Sequence, residues 1–249
     1  MSSNESIALH KGDCLTILPT LPDKCVDLVI TDLPYGQTDC EWDCKIDLTA
    51  LWIQLKRVAR NKHTPFFFFT TTKFGYDLIK SNPKWFRYDL VVEKTNCVGY
   101  LCARKMPMRK HEMLYVFYDK LPVYNVDAYH TKNPNIRPDF EEISLYGVVM
   151  RRHKSNYTPN LPSSILKMNN FASKARNHPT EKTQDILEWI IKYYSKENDT
   201  VLDPTMGSGS TAVACKTLKR NFIGIELNDK FFEVAEKRSI HQDTQSQAP

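Results

Sequence analysis

The stretch that decides the fold is "VLDPTMGSGSTA", Val201–Ala212. It reads as a strand ending at Asp203, a tight turn, and a helix that starts after two glycines. Gly207 and Gly209 let the backbone approach a ligand closely. The new helix then aims its free N–H groups at any anionic part of that ligand. Ordinary strand-to-helix loops also contain glycine, so the turn by itself is open to that plainer reading. Gly207-x-Gly209-x-x-Ala212 does fit a loose dinucleotide fingerprint, with Glu226 at the offset of a ribose-binding acid.

Three details favour S-adenosylmethionine over a nicotinamide dinucleotide. Asp203 and Pro204 stand where dinucleotide folds keep apolar residues, and a carboxylate there can hold an ammonium group or lie near a sulfonium. Little chain follows the turn, so a second mononucleotide-binding half has no room. No Gly-Lys-Ser/Thr is present, which argues against a phosphate-binding P-loop.

Outward from the turn, strand and helix patterns alternate. "NFIGIE" (221–226) is a strand, and "NDKFFEVAEKR" a closing helix capped by Asn228 or Asp229. Upstream, Ile186, Leu187, Ile190, Ile191 and Tyr194 share a helix face, as do Leu48, Leu51, Trp52, Leu55 and Val58. Val26–Asp32, Pro65–Thr72, Trp85–Lys94 and Met113–Tyr118 read as strands, with a helix following from Lys73. The pattern predicts an α/β fold: a doubly wound, mostly parallel sheet with helices on both faces. From Leu121 to Ala175 prolines break the pattern, and an insertion outside the main sheet is expected there. The division is a first half over 1–120, an insertion over 121–175, a second half over 176–240 and a disordered tail over 241–249.

A second stretch carries chemistry. "ITDLPYG" (30–36) delivers Asp32 from a strand end into a turn with Leu33, Pro34 and Tyr35. Asp, Pro, Tyr and Gly are also common turn residues, and a plain turn would use them. An exocyclic amine on a nucleobase is a poor nucleophile, because its lone pair is delocalised into the ring. Two acceptors on its two N–H bonds favour the tetrahedral geometry it needs. The Asp32 carboxylate offers one and the Leu33 carbonyl, held by Pro34, the other; Tyr35 can stack on the base. Such a clamp requires the base to leave the helix.

Together the two turns resemble those of the β-group amino-methyltransferases of DNA, which methylate adenine N6 or cytosine N4 from S-adenosylmethionine. Asp32-Leu33-Pro34-Tyr35 stands for the family's Asp/Asn/Ser-Pro-Pro-aromatic motif, and Asp203–Gly209 for its Asp-Pro-Phe-x-Gly-x-Gly motif. "NHPTEKT" (177–183) is similar to its His-Pro-Thr-x-Lys-Pro segment, and Asp13 sits in its Gly-Asp element. The catalytic turn precedes the cofactor turn, which is the β-group order. The likeness covers roughly residues 7–120 and 175–238. It implies a Rossmann-like methyltransferase sheet with the middle as target-recognition region. It also implies a cofactor held by Asp13, His178, Thr180, Lys182, Asp203, Pro204, Met206, Gly207, Ser208, Gly209, Ser210, Thr211, Glu226 and Leu227. Leu33 and Met206 depart from the motifs; Leu33 loosens the turn, and Met206 keeps an apolar contact. Asp at the first motif position resembles the adenine-N6 members. Cytosine-N4 or RNA adenine-N6 transfer, or a non-catalytic nucleic-acid-binding subunit, are the alternatives. Double-stranded DNA with one base flipped is the expected partner, and relatives are often dimers.

Charge agrees with a polyanion. The net charge is +5 over 249 residues, but the basic residues cluster. Arg104, Lys105, Arg109 and Lys110 stand together without an acid, and seven Lys or Arg against one acid run from Arg151 to Lys182. Arg151, Arg152 and Lys154 join the first group as candidate DNA contacts; a solvated surface is the plainer reading. Seven scattered cysteines read as free thiols, and Cys40, Cys44, Cys97 and Cys102 lack the spacing of a zinc site, so no metal is expected. No apolar run is long enough to cross a bilayer and the first residues carry no signal pattern, so a soluble intracellular protein, cytoplasmic or nuclear, is expected.

Overall fold

A computed structural model of the protein describes residues 6–36, 45–125, 162–167 and 182–241. Eight strands form one sheet: β1 (Ile7–Lys11), β2 (Leu28–Thr31), β3 (Phe66–Thr70), β4 (Phe86–Val98), β5 (Arg109–Phe117), β6 (Ile165–Lys167), β7 (Thr200–Asp203) and β8 (Asn221–Glu226). Their spatial order is β1-β8-β7-β2-β3-β5-β4-β6. The pairs β1–β8, β8–β7, β7–β2, β2–β3 and β4–β6 are parallel, while β5 runs antiparallel to both β3 and β4.

Side-chain alternation along these strands separates two cores. Leu28, Ile30, Phe67, Phe69, Val201 and Phe222 face one layer, built by α4 (Gln184–Tyr194), α5 (Ser210–Thr217) and α6 (Asp229–His241). Val29, Phe66, Phe68, Leu202 and Ile225 face the other, with α1 (Cys14–Ile17), α2 (Leu48–Val58) and α3 (Thr72–Ser81). Four consecutive phenylalanines are tolerated because β3 is covered on both faces, so a period of two sends them alternately into each core. Helix starts follow local chemistry. The Asp47 carboxylate accepts from Thr49 N at 2.8 Å, and Asn228 Oδ1 accepts from Lys230 N at 3.0 Å.

The sheet is mostly parallel, as expected, and a hairpin (β4–β5) returns the chain antiparallel against β3. One sequence expectation needs correction. The proline-rich middle is not wholly outside the sheet: Ile165–Lys167 pairs with Val91–Glu93 as an edge strand. The N-terminal β1, unread in the sequence, closes the opposite edge.

The site follows from the topology. β2 and β7 are neighbours, yet β2 leads to α2 on one face and β7 to α5 on the other. The crevice beyond their carboxyl ends is the place where an open α/β sheet binds its ligand. Asp32 and Asp203 stand at those two ends.

Candidate functional site at the ends of strands β2 and β7

A cavity of about 770 Å³ opens at this crevice. One wall comes from the strand β7 turn. Asp203, Pro204, Met206, Gly207, Ser208, Ser210 and Thr211 line it, joined by Glu226 and Leu227 after β8 and by Asp13 after β1. The facing wall is Asp32, Leu33, Pro34 and Tyr35, with Lys182 beside them. Of the candidates read from the two turns, Gly209 alone does not face the cavity. Its φ of +78° starts α5, and an added Cβ would lie 2.9 Å from the Ala235 Cβ. Its missing side chain therefore lets α6 pack on the turn, where close ligand approach was expected. Gly207, at φ +54°, has open space where a Cβ would be. His178, Thr180, Arg151, Arg152, Lys154, Cys40 and Cys44 lie outside the described residues. Arg104, Lys105, Arg109 and Lys110 lie on the β4–β5 hairpin and do not line the cavity.

On the first wall, acids are held by neutral donors. Asp203 is buried and accepts from the Thr211 hydroxyl at 2.8 Å and from Thr205 N at 3.2 Å. Burial raises its pKa to about 7, although both hydrogen bonds oppose the shift. Glu226 accepts from Gly207 N at 2.9 Å and Asn228 N at 2.7 Å; burial again raises it and these N–H groups pull it back. Asp13 caps α1 by accepting from Leu15 N at 2.7 Å. Among the described residues none of the three makes a salt bridge. Three carboxylates without a salt-bridge partner among the described residues fit a ligand that brings its own positive charge, together with hydroxyls to donate. S-adenosylmethionine has an ammonium, a sulfonium and a ribose diol, so the donor set suits it.

The second wall is wired differently. Asp32 accepts from the Tyr35 hydroxyl at 2.5 Å and from the Lys182 ammonium at 2.8 Å. Lys182 also donates to Glu112 at 3.2 Å, and Glu112 pairs with Lys94. The result is a row of alternating charge, Asp32–Lys182–Glu112–Lys94, running from the cavity along β5 and β4. Burial alone would lower the Lys182 pKa; the two carboxylates overcome it and hold the ammonium charged. Burial likewise opposes the Glu112 carboxylate, yet Lys182 and Lys94 keep it below its usual range. Lys182, read in the sequence as a cofactor contact, lines the cavity and bonds Asp32 of the acceptor turn and Glu112 of β5. Burial and the neighbouring Asp32 push the Tyr35 hydroxyl far up, so it stays a donor. Its ring packs against Phe74 at 4.9 Å.

The Leu33 side chain is buried in the α1–α2 core, so the turn is anchored by burial in place of a second proline ring. The expected loosening is offset in this way. One residue absent from the sequence reading ties the walls together. The Thr205 hydroxyl donates to the Asp32 carbonyl at 3.1 Å, and with that proton used, Thr31 must donate across the 2.7 Å contact to Thr205. Thr205 stands within the glycine-turn motif, but its partner is 173 positions away. Glu112 had no signal in the sequence at all.

A crevice at a topological switch point, carrying a nucleoside-binding turn and an acceptor turn on one cavity, defines a Rossmann-like transferase. The chain belongs to the DNA methylase family, whose adenine-N6 and cytosine-N4 model matches residues 26–237. It is 27% identical over 254 residues to the type II methyltransferase M.HinfI of Haemophilus influenzae, covering 92% of this chain and 67% of that one. Among solved structures, the M1.HpyAVI–SAM complex matches with a TM-score of 0.62 at 23% identity, over 93% of this chain and 98% of that one. The cytosine-N4-specific PvuII DNA methyltransferase matches with a TM-score of 0.68 at 13% identity, over 97% and 89%. The fold is therefore that of the DNA methyltransferases. The chain's activity class is methyl transfer to an exocyclic amine of DNA, adenine N6 or cytosine N4, with S-adenosylmethionine as donor. No helix among the described residues is long and apolar enough to cross a membrane.

Proposed function

We propose that this chain is a site-specific DNA adenine-N6 methyltransferase acting on a flipped adenine. One observation carries the reading: the Thr205 hydroxyl bonds the backbone of Asp32, so the acceptor turn and the glycine turn are fixed to each other across one cavity. Asp at the first position of the acceptor turn favours adenine over cytosine within the family pattern.

In this reading Asp203, Glu226 and Asp13 hold the cofactor's ammonium, ribose and adenine ends, with Gly207 allowing close approach. When bound, S-adenosylmethionine supplies an electrophilic methyl group. The chain's own residues prepare the amine. Asp32 accepts one N–H and the Leu33 carbonyl the other, which draws the nitrogen lone pair out of conjugation. Lys182 keeps one carboxylate oxygen engaged. The Tyr35 hydroxyl is the exchangeable partner, since the Phe69 carbonyl lies 3.2 Å from it as a second acceptor. Release of that hydroxyl to Phe69 opens the Asp32 oxygen to the incoming amine. Arg104, Lys105, Arg109 and Lys110 contact phosphates, and residues 121–175, with Arg151, Arg152 and Lys154, form the target-recognition region.

The test is to methylate duplex DNA with radiolabelled cofactor and digest the product to nucleosides. Label in N6-methyl-2′-deoxyadenosine supports the proposal. Label in N4-methyl-2′-deoxycytidine keeps the clamp and corrects the base. A gel shift with no label in any nucleoside ends the enzymatic reading.

A further inference from the structure

The hairpin of β4 and β5 runs past the sheet on the side where the cavity opens. β3 stops at Thr70, which pairs with Met113, while β5 begins four residues earlier, at Arg109. Those residues, Arg109–Glu112, carry the hairpin about 13 Å beyond the end of β3. The edge strand β6 pairs with β4 as far as Glu93. Beyond that point, among the described residues, β4 and β5 pair only with each other. Glu112 at the base of this overhang holds Lys182, and the charge of Arg109 is felt at the Tyr35 hydroxyl, so the overhang rises beside the acceptor turn.

Its tip is built against ordinary surface rules. Gly99 turns the chain at φ +92°, and a short 3-10 turn, Tyr100–Cys102, presents its side chains outward. Leu101 is 97% exposed and Tyr100 82%; Met106 and Met108 are exposed behind them. Arg104 and Lys105, also exposed, sit within the same turn, and the tip from Val98 to Met108 contains no acid. A large apolar tip set among cations and standing over the catalytic edge matches one kind of partner. Flipping a base leaves a gap in the stack, and proteins that distort DNA fill such gaps with leucine, methionine or aromatic wedges flanked by phosphate contacts. A second copy of the chain fits less well, because a two-fold contact would bring the Arg104 and Lys105 pairs together.

We propose that the tip of this hairpin is a wedge that enters duplex DNA at the target base, with Leu101 and Tyr100 occupying the opened stack and Arg104 and Lys105 gripping the flanking phosphates. The inference rests on the DNA methyltransferase reading and adds the element that opens the helix.

The test uses the full chain and a duplex bearing the site found by sequencing methylated DNA. The doubly substituted Tyr100→Ala, Leu101→Ala protein is compared with wild type on that duplex and on one whose target base faces an abasic position, where little stacking and no pairing is lost. The expected result is a fall in kcat/KM of ~10- to 100-fold on the paired duplex. The fall shrinks to within about threefold on the orphaned base, because opening is already accomplished there. Unchanged cofactor affinity by calorimetry keeps misfolding out of the comparison. Equal losses on both duplexes, or no loss on the paired one, overturn the wedge. A shift from dimer to monomer in sedimentation with equal losses overturns it in favour of a subunit contact. If wild type labels neither duplex, the fault lies in the enzymatic reading, not in the hairpin.

Discussion

The two walls of the cavity solve opposite electrostatic problems with the same side chain, a carboxylate. On the glycine-turn wall, Asp203 is buried and Glu226 half-buried, both are served by neutral donors, and burial raises both. On the acceptor-turn wall, Asp32 meets a buried ammonium from a distant segment, which Glu112 and Lys94 balance in turn. The acids of the first wall make no salt bridge among the described residues and suit a cationic cofactor. The second is already neutralised and suits an uncharged amine, which needs acceptors without a field that would repel it or protonate it.

The largest test of that contrast is removal of Asp32. In the proposed mechanism Asp32→Ala deletes an acceptor used as the amine pyramidalises, so kcat should fall by ~10³-fold, the scale of losing a preorganised transition-state contact. S-adenosylmethionine affinity by calorimetry should stay within about threefold, since a residue of the other wall is untouched. Loss of cofactor binding in a folded variant would merge the two walls into one and undo the division.

Asp203→Asn probes the first wall. Losing the charge should weaken cofactor binding by ~10- to 100-fold, the range of a charge-assisted hydrogen bond. The same acid gives a pH signature without ligand. Its folded pKa of about 7 lies above its ordinary 3.8, so the folded state binds the proton more tightly. Stability from this group is fully present below pH 4 and declines as pH rises to 7, by on the order of 4 kcal/mol in total. Ligand-free protein should therefore melt at a higher temperature near pH 5.5 than near pH 8, and Asp203→Asn should flatten that slope. A slope unchanged by the substitution would remove Asp203 as its source.

How much of this was legible depended on sequence distance. Both turns could be read because their chemistry is contiguous: Asp32 with Leu33, Pro34 and Tyr35, and Asp203 with the glycines that follow. The apolar runs of β2, β3 and β7 were equally plain. Glu112 was hidden because its partner Lys182 lies 70 positions away, and a lysine bears no mark of which acid it will meet. β1 was hidden because its burial is intermediate along four of five residues, leaving no alternation to detect. β6 has three residues among prolines and is held by the strand beside it, not by its own propensity. The direction of β5 needed the hairpin to be seen, since propensity carries no sign of parallel or antiparallel pairing.

The charge row behind Asp32 should give a smaller effect than either acid at the cavity. Glu112→Gln leaves Lys182 with a single carboxylate partner, and its ammonium then pulls more strongly on Asp32. A fall in kcat of about 3- to 10-fold with cofactor affinity unchanged is expected, since the effect reaches the chemistry only through positioning. Lys182→Arg, which keeps the charge, should retain more activity than Lys182→Met. Equal losses in the arginine and methionine variants would make the row a packing device.

The finest comparison lies within the glycine turn itself. Gly207 and Gly209 are both at positive φ, so alanine at either position meets the left-handed penalty of about 1–2 kcal/mol. Only at Gly209 does the new methyl group collide, 2.9 Å from the Ala235 Cβ and 3.1 Å from its Cα, where α6 seals the turn. That overpacking adds roughly 1–3 kcal/mol. Gly209→Ala should thus lower the melting temperature more than Gly207→Ala, and Ala235→Gly should recover part of the difference. Gly207→Ala, whose methyl projects into open space on the cavity wall, should cost cofactor affinity more than stability. If the two variants lost affinity and stability in the same ratio, the division of labour between a ligand-facing and a helix-facing glycine would be wrong, because only unequal surroundings can separate two residues with the same backbone strain.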